Sequence, residues 1–126
     1  MLRSLLLVGA GGAAGSMARY AVGLLVGRLV SHPYPYATFI VNLAGCFIIG
    51  LLFGFTQRNP AFHTGWWLVL ATGFCGGFTT FSSFALEGNN LLRAQHTGLM
   101  LLYTGLSILG GLALCYAGIR LAAPQS

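Results

Sequence analysis

The chain has 126 residues, of which 56% are hydrophobic and 6% are charged, and its mean hydropathy is +0.81. An average soluble domain has about a quarter of charged residues, so this composition excludes an ordinary soluble protein and indicates an integral membrane protein. The net charge of +5 comes from arginines that stand singly and far apart, which does not fit the clustered basic surface of a nucleic-acid-binding protein.

Four apolar segments follow one another along the chain, joined by short polar or proline-containing connections. They cover residues 4–29, 36–56, 66–92 and 98–120. Each segment is long enough for one span, because a helix needs about 20 residues to cross the hydrocarbon core of a bilayer. The sequence therefore predicts an all-α fold in the lipid bilayer, with a single domain over residues 1–126 that contains four transmembrane helices.

The arginines near the ends of the predicted spans hardly favour either orientation in the membrane. One side collects Arg3, Arg58 and Arg120, and the other collects Arg28 and Arg93. Because the distribution of Arg and Lys sets the orientation of a chain, one arginine of difference leaves two alternatives. Either the chain has a single topology, or it inserts both ways and opposite-facing copies form an antiparallel homodimer. We favour the dual topology.

The third predicted span is broken near its middle by the run GFCGGFTTFSSF, residues 73–84. A bilayer tolerates such a break only where the freed backbone groups meet protein, water or a bound ion. We expect the segment from Gly76 to Thr79 to leave carbonyl oxygens without helical partners, and such oxygens bind hard cations such as Na⁺. In an antiparallel dimer, two breaks would meet on the symmetry axis and share one ion.

Polar side chains inside the predicted spans are almost all hydrogen-bond donors. They are Arg19, Asn42, Thr79, Thr80, Ser82, Ser83, Glu87, Tyr103, Thr104 and Ser107. Glu87 is the only acid in the chain, whereas a pathway for cations or protons would need carboxylates along it. A lining that is rich in donors and poor in acids favours an anion.

Helical spacing places several of these groups on two faces. Thr80, Ser83 and Glu87 lie at i, i+3 and i+7, so that hydroxyl groups lead to the single acid. Tyr103 and Ser107 are four residues apart and form a matching face on the last span. Two faces that carry hydroxyl groups can form a polar track.

Phe81 and Phe84 are three residues apart and would project beside that track. The positive edge of a ring can hold a small anion, although packing is the usual reason for two phenylalanines on one helix. The amide of Asn42 can donate to a passing ion or form a hydrogen bond between helices. Spacing alone leaves these alternatives open for all three residues.

Three motifs stand in order along the chain: GGAAGSMARY at residues 11–20, TFIVNLAGCFIIG around Asn42, and GFCGGFTTFSSFALE at residues 73–87. In these motifs and their spacing, the chain resembles the Fluc (CrcB) family of fluoride channels over essentially its whole length. Ser83 stands where a threonine is common in the family, a change that keeps the hydroxyl group.

The resemblance implies a passive, fluoride-selective channel, not an enzyme, that exports F⁻ from the cytoplasm through the inner or plasma membrane and gives fluoride resistance. It implies a dual-topology homodimer with two pores and no organic cofactor. Phe81 and Phe84 would line the pores as an aromatic box, and Asn42 would meet the ion. The backbone carbonyls of Gly76 and Thr79 from both subunits would hold a structural Na⁺ at the dimer centre.

The same resemblance gives expected roles to the remaining polar groups. Four hydroxyl-bearing side chains would belong to the polar track: Thr80, Ser83, Tyr103 and Ser107. Arg19 resembles the first-span arginine of the family and would be a structural or vestibule charge. Glu87 would lie at the end of the track.

Two other functions fit a small protein with four spans. A small multidrug-type proton-coupled exporter has a similar size and weak charge bias, but it needs a membrane-embedded carboxylate, usually in its first span, and residues 4–29 contain none. A non-transporting packing or assembly subunit would use its polar groups only to join helices. In that case Phe81→Ile and Asn42→Ala would leave ion flux unchanged.

Overall fold

The computed structural model describes residues 1–125 and is all-helical. Four helical segments are long and apolar enough to cross a membrane. Helix α1 covers Leu2–Leu29, α2 covers Tyr36–Arg58, the third span covers Gly65–Arg93, and the last covers Thr97–Ala122. A single 3₁₀ turn, Pro60–His63, precedes the third span. The predicted all-α fold with four spanning helices is confirmed.

The third span consists of two helices joined by an extended pair of residues. Its first half, α3, covers residues 65–78, and its second half, α4, covers Phe81–Arg93. Between them, Thr79 and Thr80 are extended, with ψ angles of 158° and 115°. The prediction of a third helix broken near its middle is thus confirmed, and the last span is named α5. The break begins after the glycines, because Gly76 keeps helical angles (φ −62°, ψ −36°).

Most of α3 is a π-helix, which covers Leu68–Cys75. A π-helix of this length is rare, and α1 supports its backbone along one side. A Cβ atom on Gly11 would collide with the carbonyl oxygen of Val69, and one on Gly15 with that of Phe74. Glycines on α1 therefore allow the two backbones to touch, as small residues do in membrane helix pairs.

Helices α2 and α5 form the second close pair. A Cβ atom on Gly50 would collide with the carbonyl oxygen of Cys115, and one on Gly118 would lie 2.5 Å from that of Phe47. Each helix therefore offers a glycine to the backbone of the other. The two pairs, α1 with α3 and α2 with α5, make the most extensive helix contacts among the described residues.

Replacing Gly15 by alanine is expected to destabilise the bundle by about 1–3 kcal/mol. The new methyl group would collide with the Phe74 carbonyl, and a helix backbone cannot easily move away from it. Thermal unfolding in detergent measures the effect. Gly23→Ala on the same helix is the matched control, since nothing lies within 4 Å of its Cβ position. Equal melting temperatures for the two variants would contradict this account of the α1–α3 contact.

Candidate functional site at the break of the third span

Asn42 on α2 replaces the helical hydrogen bonds that the break removes. Its Oδ1 accepts a hydrogen bond from the Thr80 amide at 2.8 Å, and its Nδ2 donates one to the Thr80 carbonyl at 3.1 Å. Both backbone groups of Thr80 are therefore satisfied at membrane depth, as the apolar surroundings require. Because an amide nitrogen carries two hydrogens, Asn42 keeps one donor for another acceptor.

Thr80 also begins α4 as its N-cap. Its Oγ1 accepts a hydrogen bond from the Ser83 amide at 3.2 Å and donates one to the Ser83 Oγ at 3.1 Å. A hydroxyl group in this position satisfies one of the unpaired amides in the first turn of a helix. The structure therefore brings Thr80 and Ser83 together, as their spacing predicts.

Arg19 on α1 binds the last turn of α3. Its Nε donates a hydrogen bond to the Gly77 carbonyl at 3.0 Å. The last carbonyls of a helix have no partner within it, and they attract positive charge. Arg19 therefore stabilises the end of α3 and occupies a fixed position beside the break.

Three carbonyl groups beside the break, those of Gly76, Phe78 and Thr79, accept no hydrogen bond among residues 1–125. The Gly76 carbonyl loses its helical partner because the Thr80 amide binds Asn42 instead. The Thr79 carbonyl likewise accepts no hydrogen bond within this range, while the Thr79 hydroxyl donates to Cys75. Gly76 and Thr79 line the same cavity, whereas Phe78 does not.

That cavity has a volume of about 490 Å³ and lies where the second, third and last spans meet. It contains most of the predicted site, namely Asn42, Gly76, Thr79, Thr80, Phe81, Phe84 and Ser107. None of its lining residues is charged. The Ser107 Oγ is buried and makes no hydrogen bond with residues 1–125, so it is a second free donor in addition to the Asn42 amide.

The two phenylalanines differ in how they are packed. Their ring centroids lie 5.6 Å apart with an angle of 33° between the planes. Phe84 also packs against Tyr103 at 5.0 Å, whereas 80% of the Phe81 surface is exposed. Packing within the chain thus explains the phenylalanine at position 84 but not the one at position 81.

Glu87 lies in a separate groove and is held by two hydroxyl groups. The Thr38 Oγ1 donates to one carboxylate oxygen at 2.7 Å, and the Tyr103 hydroxyl donates to the other at 3.0 Å. Sequence reasoning missed Thr38, although it precedes Asn42 by one helical turn and therefore shares its face of α2. The four-residue spacing from Asn42 could have identified Thr38 from the sequence.

The groove beside Glu87 has a volume of about 290 Å³. Its polar lining consists of Arg19, Thr38, Thr80, Ser83 and Glu87, with Tyr20 at its edge. Thr80 is the polar residue that lines both this groove and the cavity. Most of the predicted residues thus line two concave surfaces that share Thr80.

Tyr103 and Ser107 do not lie in one cavity. Ser107 lines the cavity at the break, whereas Tyr103 has no exposed surface and is the centre of a cluster with Tyr34 and Leu91. Tyr34 lies in the loop between α1 and α2, where burial and, to a smaller extent, Tyr36 raise its pKa above the usual range. The phenol of Tyr34 therefore stays neutral at physiological pH.

The fold and the site define a small multi-pass membrane protein with an uncharged, donor-lined cavity at a broken helix. Residues 6–119 match the family described as CrcB-like protein, Camphor Resistance (CrcB). The chain belongs to this family, which confirms the resemblance carried by the three sequence motifs and disfavours the multidrug-type exporter.

Curated relatives cover almost the whole chain. Three of them, from Chlorobium luteolum, Leptospira interrogans serovar copenhageni and Flavobacterium psychrophilum, are 46%, 42% and 37% identical to it. The alignments cover 98%, 93% and 96% of this chain and 95%, 92% and 98% of the respective relatives. Each relative is named "Fluoride-specific ion channel FluC". These names describe an ion channel, in agreement with the prediction that the chain is not an enzyme.

Proposed function

We propose that this chain forms a fluoride-selective channel that passively exports F⁻ from the cytoplasm across the inner or plasma membrane. The observation that carries the proposal is the cavity at the break, which offers free donors and an exposed ring without any charged lining residue. The Asn42 amide and the Ser107 hydroxyl are the donors, and Phe81 is the ring. The name shared by the relatives supports fluoride as the ion.

The proposed mechanism follows from the strength of the available donors. Fluoride is small and strongly hydrated, so conduction requires groups that replace its water step by step without trapping it. A hydroxyl group, an amide and a ring edge are weak donors that permit both entry and release. The Arg19 guanidinium would bind an anion more strongly, but it is bound to Gly77 and does not line the cavity.

We also propose that two copies associate as an antiparallel, dual-topology homodimer with two pores. The balanced arginines support both insertions, and the exposed ring of Phe81 supports a second copy that completes the wall of the cavity.

Labelling from outside intact cells tests the topology. A single cysteine, Leu2→Cys, is introduced after replacement of the three free native cysteines, Cys46, Cys75 and Cys115. A membrane-impermeant maleimide is expected to label part of the protein before permeabilisation and the rest afterwards. Labelling of all copies or of none before permeabilisation would contradict the dual topology.

We further propose that the free carbonyl oxygens of Gly76 and Thr79 hold a structural Na⁺ together with the same groups of the second copy. The two oxygens fit the ion because they are hard ligands without hydrogen-bond partners among residues 1–125. The ion would supply positive charge that holds two broken helices together, and it takes no part in a reaction.

Removal of Na⁺ is therefore expected to weaken the dimer and lower fluoride flux. The measurement compares dimer fraction and efflux in Na⁺ with those in N-methylglucamine, a cation too large for the site, at equal ionic strength. Identical dimer fraction and efflux in both solutions would remove the proposed ion.

Growth in fluoride tests the proposed function in cells. In a bacterium that lacks its own fluoride exporter, expression of this chain is expected to restore growth in millimolar fluoride, and expression of the Phe81→Ile variant is expected not to. Membrane fractions must contain both proteins in equal amounts. No protection by the native chain at that level would contradict the proposal.

A further inference from the structure

A third concave surface lies at one membrane face, where the first turns of α1 meet the start of the third span. This groove has a volume of about 390 Å³ and shares no lining residue with the cavity at the break. It is lined by Arg3, Leu7, Thr64, Gly65, Trp66 and Val69. Both spans begin here, at Leu2 and Gly65, so the groove opens at the level of the lipid headgroups.

The positive charge of Arg3 has no partner among residues 1–125. The only acid of the chain, Glu87, is already bonded to Thr38 and Tyr103. A free guanidinium at headgroup depth suits the phosphate of a lipid, because its fork of donors matches phosphate oxygens. Charge complementarity therefore points to an anionic occupant at the outer end of the groove.

The rest of the groove suits the apolar part of a lipid. Trp66 is 62% exposed, and exposed tryptophan rings lie preferentially at the headgroup level. Leu7 and Val69 lie one turn deeper on their helices than Arg3 and Trp66, so they line the groove where acyl chains begin.

We propose that this groove binds an anionic phospholipid, with its phosphate at Arg3 and one acyl chain along Leu7 and Val69. The proposal rests on the membrane-spanning fold and on this groove, and not on the transported ion. It therefore stands or fails separately from the proposed channel function.

Native mass spectrometry of the full-length protein tests the proposal, with phosphatidylglycerol and phosphatidylcholine offered in equal amounts. The native protein is expected to retain more phosphatidylglycerol, and Arg3→Gln is expected to reduce that retention about fivefold, as loss of one basic residue near an anionic surface implies. Arg3→Lys should keep part of it. Arg28→Gln is the matched control, because Arg28 lies in the last turn of the same helix and does not line the groove.

Several outcomes would overturn the proposal. One is that the native protein retains the two lipids equally, another is that Arg3→Gln retains as much phosphatidylglycerol as the native protein, and a third is that Arg28→Gln loses as much as Arg3→Gln. Displacement of the lipid by soluble glycerol phosphate would also count against it, because the groove would then be a site for free phosphate. Retention by monomers but not by dimers would also overturn it, since a second copy would then cover the groove. Thermal unfolding of Arg3→Gln and Arg3→Lys verifies that a loss of lipid is not a loss of fold.

Discussion

Replacing Phe81 by isoleucine is expected to reduce fluoride efflux by about tenfold while leaving the melting temperature of the protein almost unchanged. Edge-to-face contacts between aromatic rings are worth about 0.5–1.5 kcal/mol. If the contact between the ring edge and the ion is of the same size, the upper end of that range corresponds to about tenfold in binding. The fold tolerates the change because 80% of the Phe81 surface is exposed within the chain. Efflux from proteoliposomes and thermal unfolding in detergent measure the two effects.

Two further variants separate an effect on conduction from one on packing. Phe53→Ile is the matched control, because Phe53 is also partly exposed (42%) and does not line the cavity; its efflux should equal that of the native protein. Phe84→Ile should lose efflux and also stability, since its ring packs against Tyr103. Undiminished efflux in both Phe81→Ile and Phe84→Ile would exclude a role of the two rings in conduction and revive the assembly-subunit hypothesis.

Asn42→Ala is expected to abolish efflux and to destabilise the protein by about 2–6 kcal/mol. The substitution removes both hydrogen bonds to Thr80, and each buried backbone group left without a partner costs about 1–3 kcal/mol. It also removes the free amide hydrogen from the cavity. Denaturation of the purified protein and fluoride efflux measure the two losses.

Asn42→Asp tests the contact of this residue with the ion by placing a negative charge at the same position. An aspartate keeps an acceptor for the Thr80 amide but sets a second carboxylate oxygen against the Thr80 carbonyl, so the protein should be destabilised as in Asn42→Ala. Its negative charge would repel an anion, so efflux should still be absent. Native stability in Asn42→Ala would show that the two hydrogen bonds to Thr80 do not stabilise the protein. Normal efflux in Asn42→Asp would show that the anion does not pass this residue.

The outline of the fold was predictable because the bilayer imposes a single rule. Runs of about 20 apolar residues can cross it only as helices, which predicts the four spans without knowledge of their packing. The pairing of the spans was less visible, since glycines are common in the chain and only some, such as Gly15 and Gly50, touch another backbone. The π-helix in α3 has no sequence signal that we recognise.

The position of the break shows where local reasoning stops. Glycine weakens a helix, so the sequence pointed to Gly76 and Gly77, yet the chain becomes extended at Thr79 and Thr80. The reason is tertiary, because Asn42 on another helix supplies the two hydrogen bonds that make an extended Thr80 tolerable in lipid. Local helix propensity cannot predict that contact between two helices.

Helical spacing was similarly incomplete for the polar track. It predicts that Thr80 and Ser83 face the same way, which the hydrogen bonds between them bear out. It does not predict that Tyr103 turns to Glu87 while Ser107 lines the cavity. Helical periodicity places both side chains on one face of α5, and the packing of the neighbouring helices decides what each of them contacts.

Anion efflux from liposomes that carry the purified protein alone tests the central claim most directly. Fluoride and chloride electrodes record both ions in parallel, with no proton gradient applied. The account predicts rapid loss of fluoride while chloride stays inside. An absence of fluoride flux, or equal flux of the two ions, would contradict a selective passive channel and return the protein to the exporter and assembly-subunit hypotheses.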